Sequence, residues 1–191
     1  MYANSHNVRL ICFNLQKNIE EMKTNMNIKD IAEFTLLYFW ENGISVCPLK
    51  LQKILYYIQA WYLVYFNKEM LFDEKPEAWV NGPVYRSIYN QYKNIGIYDQ
   101  ITPEQIDIEG DLKKKKEELD LDNDQLEFLE SIFRFYGTMS HDKLVFLTHS
   151  EKPWSEKREG LNPFEYSNEE ISLETMYNYY KSRLDSKKRK Q

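Results

Sequence analysis

Apolar positions recur at helical spacing along most of this 191-residue chain. Ile28, Ile31, Ala32, Thr35 and Phe39 fall on one helical face, with Asn27 as cap, Asp30 in the first turn and Gly43 as stop. A second helix is predicted from Pro48, a residue the first turn tolerates. Leu51, Ile54, Leu55, Ile58, Tyr62, Tyr65 and Phe66 mark its apolar face. Tyr56, Tyr57 and Trp61 make the opposite side apolar too, so this helix is predicted to lie at the centre of the core.

The period is lost from Lys68 to Trp79, where Met70, Phe72, Ala78 and Val80 predict a small hairpin or an extended loop. Gly82-Pro83 breaks the chain, and Pro83 is expected to open the next helix, with Tyr85, Ile88, Tyr89 and Tyr92 on one face. Tyr98 to Leu121 reads as a charged connection. Its run Lys113 to Lys116 is balanced by Glu117, Glu118 and Asp120 and is expected to be solvated. Asp122 and Gln125 form a capping pair for a helix buried through Leu126, Leu129, Phe133 and Tyr136, which Gly137 ends. Ser140 caps a short helix that runs to His149, and Pro153-Trp154 ends that segment. A last helix carries Leu173, Met176, Tyr177, Tyr180 and Leu184, capped by Ser167 or Ser172. The prediction is mainly α: a single compact domain of about six or seven helices, with a small extended or hairpin element near residues 70–80. Residues 1–26, with Val8, Ile11, Leu15 and Ile19 at near-helical spacing, form an N-terminal extension. The domain covers 27–185, and 186–191 is a basic disordered tail.

Composition sharpens this picture. Aromatics make up 15% of the chain, led by 15 Tyr, against 6 Gly and 6 Pro, which favours long helices over a turn-rich sandwich. Two cysteines, Cys12 and Cys47, make neither a disulfide framework nor a zinc knuckle. The longest apolar stretch, Phe34–Trp40, is too short to span a bilayer. No segment has the order of a signal peptide, so the expected location is the cytoplasm. The net charge of -5 argues against nucleic acid as the main partner.

Candidate chemistry is sparse. His141-Asp142 and His149-Ser150 are the catalytic-looking pairs, with no nucleophile-elbow pattern around a serine. Neither GxGxxG nor GxxxxGK occurs. The two helices after Asn27 superficially resemble a DNA-binding helix-turn-helix. The second becomes Tyr- and Trp-rich after Lys50, Gln52 and Lys53, as a core helix does. No cofactor and no metal are expected. Tyr and Trp in this number also suit a protein-binding face.

Three blocks carry a resemblance. Leu49 to Trp61 (LKLQKILYYIQAW) is similar to the KLQKLLYYAQGW signature of the Panacea, or SocA-like, antitoxin domain. Leu71-Phe72 with Glu77 to Val84 (EAWVNGPV) resembles its second block. Leu147 to Trp154 (LTHSEKPW) resembles its third. The resemblance implies a type II toxin–antitoxin context, often phage-associated, in which the chain neutralises a toxin encoded nearby by direct binding. Delivery of the partner to a cellular protease is the alternative; a DNA-binding regulator or a hydrolase using His149 stands further back. The signature residues implied, as scaffold or partner contacts, are Lys50, Gln52, Lys53, Tyr56, Trp61, Glu77, Trp79, Gly82, Pro83, Val84, His149, Pro153 and Trp154. Glu77 is expected to bond backbone or Lys50, and Trp154 to pack on Trp61 or Trp79. Toxin choice is expected to lie outside the blocks, in the N-terminal segment and Tyr98–Leu121.

Overall fold

Asn27 accepts a hydrogen bond from the Lys29 amide and opens α1 (Ile28–Glu41), which Gly43, at a φ of +64°, ends. The computed structural model describes residues 25–106, 108 and 111–188. Pro48 starts α2 (Pro48–Tyr65), and almost every residue from Leu49 to Leu63 is buried. It is the axis of the fold. Around it pack α1, α3 (Arg86–Tyr92), α5 (Asn123–Tyr136), α6 (His141–His149) and α8 (Leu173–Lys188). Of the predicted extension 1–26 and tail 186–191, residues 1–24 and 189–191 lie outside the described residues, and α8 runs on through Lys188 into the segment expected to be a tail.

The extended element is a two-stranded antiparallel hairpin, β1 (Glu77–Trp79) and β2 (Gly82–Val84). Pro83 therefore does not open a helix. It pairs with Ala78 inside β2, and α3 begins three residues later, after Tyr85. Glycine is required at Gly82: its φ is +97°, and a Cβ there would lie 2.6 Å from Lys53 Cε. The outer edge of β1 is covered by the strap before α8. The Ala78 amide donates to the Glu169 carbonyl, and the Ile171 amide to that of Pro76.

Eight α-helices are present among the described residues, where about six or seven were expected. One addition is α4 (Leu112–Leu119), inside the charged segment; another is the single turn α7 (Lys152–Ser155). The lysine run is not wholly solvated. Lys115 is buried and paired with Asp30 at 2.8 Å and with Glu33, fastening α4 to α1. Ser172, not Ser167, caps α8 by accepting from the Thr175 amide. Tyr65 departs from the predicted apolar face: at the end of α2 it is 60% exposed.

The aromatic surplus mostly fills the core. Tyr57 stacks on Tyr136 at 3.9 Å, and Tyr180 meets both Tyr56 and Tyr57 edge-on. These rings surround Glu151, which accepts from Tyr57 Oη (3.2 Å), Tyr180 Oη (2.5 Å) and Arg183 (3.0 Å). Burial pushes the Glu151 carboxyl up, while the Tyr180 hydrogen bond and the Arg183 charge pull it back down. This knot joins α2, the α6–α7 corner and α8.

Candidate partner-binding surface

Four polar side chains on the buried α2 bond the backbone of neighbouring segments. Gln52 accepts from the Tyr85 amide (2.8 Å) and donates to its carbonyl (3.1 Å). Lys53 donates to the Pro83 carbonyl at 2.9 Å. Two helical turns beyond Gln52, Gln59 does the same for Leu71 and Phe72. A buried amide that mimics a strand partner leaves no backbone group unpaired, which would be costly here. Lys53 is fully buried, and burial drives its ammonium down to about 7. Lys50 bonds the Ser45 carbonyl at 2.9 Å, not Glu77.

The other side of the hairpin is held by the α6–α7 corner. Trp154 donates to the Trp79 carbonyl at 2.9 Å, so it packs on the Trp79 side and not on Trp61. His149 stacks flat on Trp154, 3.9 Å between centroids, and is hydrogen-bonded to the Val80 backbone. Burial, then the nearby Lys53 and Arg158 charges, lower the His149 pKa; the Val80 bond works against them. Pro153 is buried in the first turn of α7. Arg158 donates to the Ala78 carbonyl at 3.1 Å and also to the carbonyls of Asn162, Pro163 and Glu165. The hairpin backbone at Ala78, Trp79, Val80 and Pro83 is thus bound at each residue by a side chain from outside the hairpin.

Glu77 bonds Trp79 Nε1 at 2.7 Å and is paired with Arg86, whose Nε and an NH2 nitrogen reach it at 2.8 and 2.7 Å. Arg86 also lies over the Trp79 ring at 5.5 Å. Trp79 is further packed by Tyr89 (4.8 Å) and Tyr166 (6.3 Å). The result is a fixed aromatic wall.

That wall bounds a cleft of about 260 Å3. Its floor is Pro48, Leu49 and Gln52 at the start of α2, with Val84 and Tyr92; Val80, Asn81, Lys93, Ile95 and Ile97 complete the lining. Tyr89 is 39% and Tyr166 64% exposed. Of the signature residues, Gln52, Lys53, Glu77, Trp79, Gly82, Pro83, Val84, His149 and Trp154 converge on the hairpin, and Pro153 is buried next to Trp154. Lys50 stays at the α1–α2 connection. Tyr56 and Trp61 face α8: both meet Tyr180, and Trp61 bonds Tyr136 Oη at 2.8 Å.

Sequence reasoning missed Arg158 and Tyr166, which carry no spacing signal; Lys93, with Tyr89 and Tyr92, fits the end of the second block. It also left Gln59 unassigned, although a glutamine within an apolar helical run signals a buried backbone partner. The helix-turn-helix resemblance ends here: α2 is buried along nearly its whole length and has no free face for a DNA groove. Among the described residues, no group of three or more His, Cys, Asp or Glu is placed to hold a metal ion, and no helix is long and apolar enough to cross a membrane.

Fold and cleft together define a mainly α domain whose signature residues clamp a hairpin beside an exposed aromatic surface. Residues 51–155, more than half of the chain, match the family model for the antitoxin SocA-like, Panacea domain, and the chain belongs to that family. Comparison with curated proteins and with solved structures gives no match.

Proposed function

We propose that this chain is the antitoxin of a toxin–antitoxin pair and acts in the cytoplasm by binding its cognate toxin directly, without catalysis. The observation that carries the reading is the family match across 51–155. The geometry supports it in two ways. Gln52, Lys53 and Trp154 of the signature spend their hydrogen-bonding capacity on the protein's own backbone, as scaffold residues do. His149, the histidine of the third block, is pressed flat against Trp154 with Nε2 buried, a poor position for a general base that must reach substrate.

The test is co-expression with the neighbouring gene. That gene alone is expected to stop growth, and this chain to restore it while co-purifying with the gene's product. Growth that stays arrested, with no complex, contradicts the proposal. Pulse-chase of the partner separates direct neutralisation from delivery to a protease, since only delivery shortens the partner's lifetime. The variant His149→Ala, if folded, is expected to neutralise fully.

A further inference from the structure

The family says nothing of where on this chain a toxin would sit. The cleft beside the hairpin has three features that together describe an occupant. First, its walls are aromatic and aliphatic, and its volume of about 260 Å3 suits one or two large side chains, not a whole helix, which is about 10–12 Å across. Second, its single charged lining residue is Lys93, which is exposed and makes no ion pair among the described residues. Third, Asn81, at the exposed hairpin turn, also lines the cleft, and its amide makes no hydrogen bond among the described residues. A side-chain amide offers both a donor and an acceptor, which is what the main chain of an extended peptide requires.

We propose that this cleft is the docking site for an extended segment of the partner toxin. One aromatic or branched aliphatic side chain of that segment seats against Trp79, Tyr89 and Tyr166. A carboxylate next to it pairs with Lys93, and its main chain bonds Asn81. The wall is preorganised: Arg86 and Glu77 fix Trp79 before any partner arrives, so little side-chain freedom is lost on binding. Charge favours this occupant over a second copy of the chain. The cleft presents a lone cation, and the chain as a whole carries a net charge of -5, so two copies repel at long range. The proposal rests on the antitoxin reading.

The experiment uses the full chain co-expressed with the neighbouring gene's product. The tagged complex is purified, and its dissociation is followed by exchange against untagged wild-type chain. Tyr89→Ala with Tyr166→Ala is expected to speed dissociation about tenfold or more, because truncating central aromatics raises the off-rate. Lys93→Glu is expected to weaken the complex at low salt, and less so at high salt. Phe146→Ala and Tyr65→Ala, which truncate aromatics elsewhere that are about as exposed as Tyr166, leave the rate unchanged. If wild-type chain rescues growth but the cleft variants dissociate at the wild-type rate, the docking site is wrong and the antitoxin role stands. If wild-type chain neither rescues nor binds, both fall. A dimer of the free chain that Lys93→Glu dissociates would assign the cleft to a second copy and overturn the proposal.

Discussion

Lys53 shows how much one side chain carries in this protein. It is fully buried, it holds the Pro83 carbonyl, and burial lowers its pKa from 10.5 to about 7. Between these values the unfolded chain binds a proton that the folded chain has released. Lys53 therefore makes stability rise with pH above about 7, with a slope approaching ~1.4 kcal/mol per pH unit until the unfolded amine titrates. Denaturant midpoints of wild type and Lys53→Met, measured at several pH values from neutrality to about pH 9, are expected to diverge with this sign. Parallel curves would show that the amine is not desolvated. Gly82 meets the same side chain, and its φ of +97° resists any Cβ. Gly82→Ala is expected to cost roughly 1–3 kcal/mol, read by urea unfolding.

At the scale of elements, charge and packing fasten the outer helices to the core. Arg183 is the charged partner of Glu151, whose side chain is 5% exposed. Arg183→Met leaves that carboxylate with its two tyrosine donors alone and is expected to cost roughly 2 kcal/mol in urea unfolding. The α4 helix is tied more lightly, through Lys115 to Asp30 and Glu33. Lys115→Ala is expected to speed hydrogen exchange across residues 112–119 while α2 keeps its protection. Equal exchange in both proteins would show that the helix is held by other contacts.

Element starts and faces were readable in the sequence wherever a cap or a strict period marked them. Asn27, Pro48, Asp122 with Gln125 and Ser140 all stand where expected. Pattern fails where tertiary contacts decide. Pro83 suits a helix start by its fixed φ, yet the backbone bonds from Gln52 and Lys53 draw residues 83–85 into an extended segment. The lysine run looked solvated because its partners Asp30 and Glu33 lie 85 and 82 residues away in sequence. The site was half legible. The three blocks showed the hairpin, its clamps and Lys93 at the end of the second block, but Arg158 and Tyr166 reach the same place only through the fold.

At the scale of the whole molecule, the signature is the frame and the cleft is what it presents. Gln52, Lys53, Trp154 and Arg158 grip the hairpin and its exit from two sides, which leaves the Trp79 ring and the Asn81 amide to line the cleft. The most direct measurement is hydrogen exchange of the full chain with and without the neighbouring gene's product. New protection is expected across residues 79–97 and around Tyr166, with no change in α4 or α5. Protection confined to α4 and α5, or none anywhere, would contradict the account.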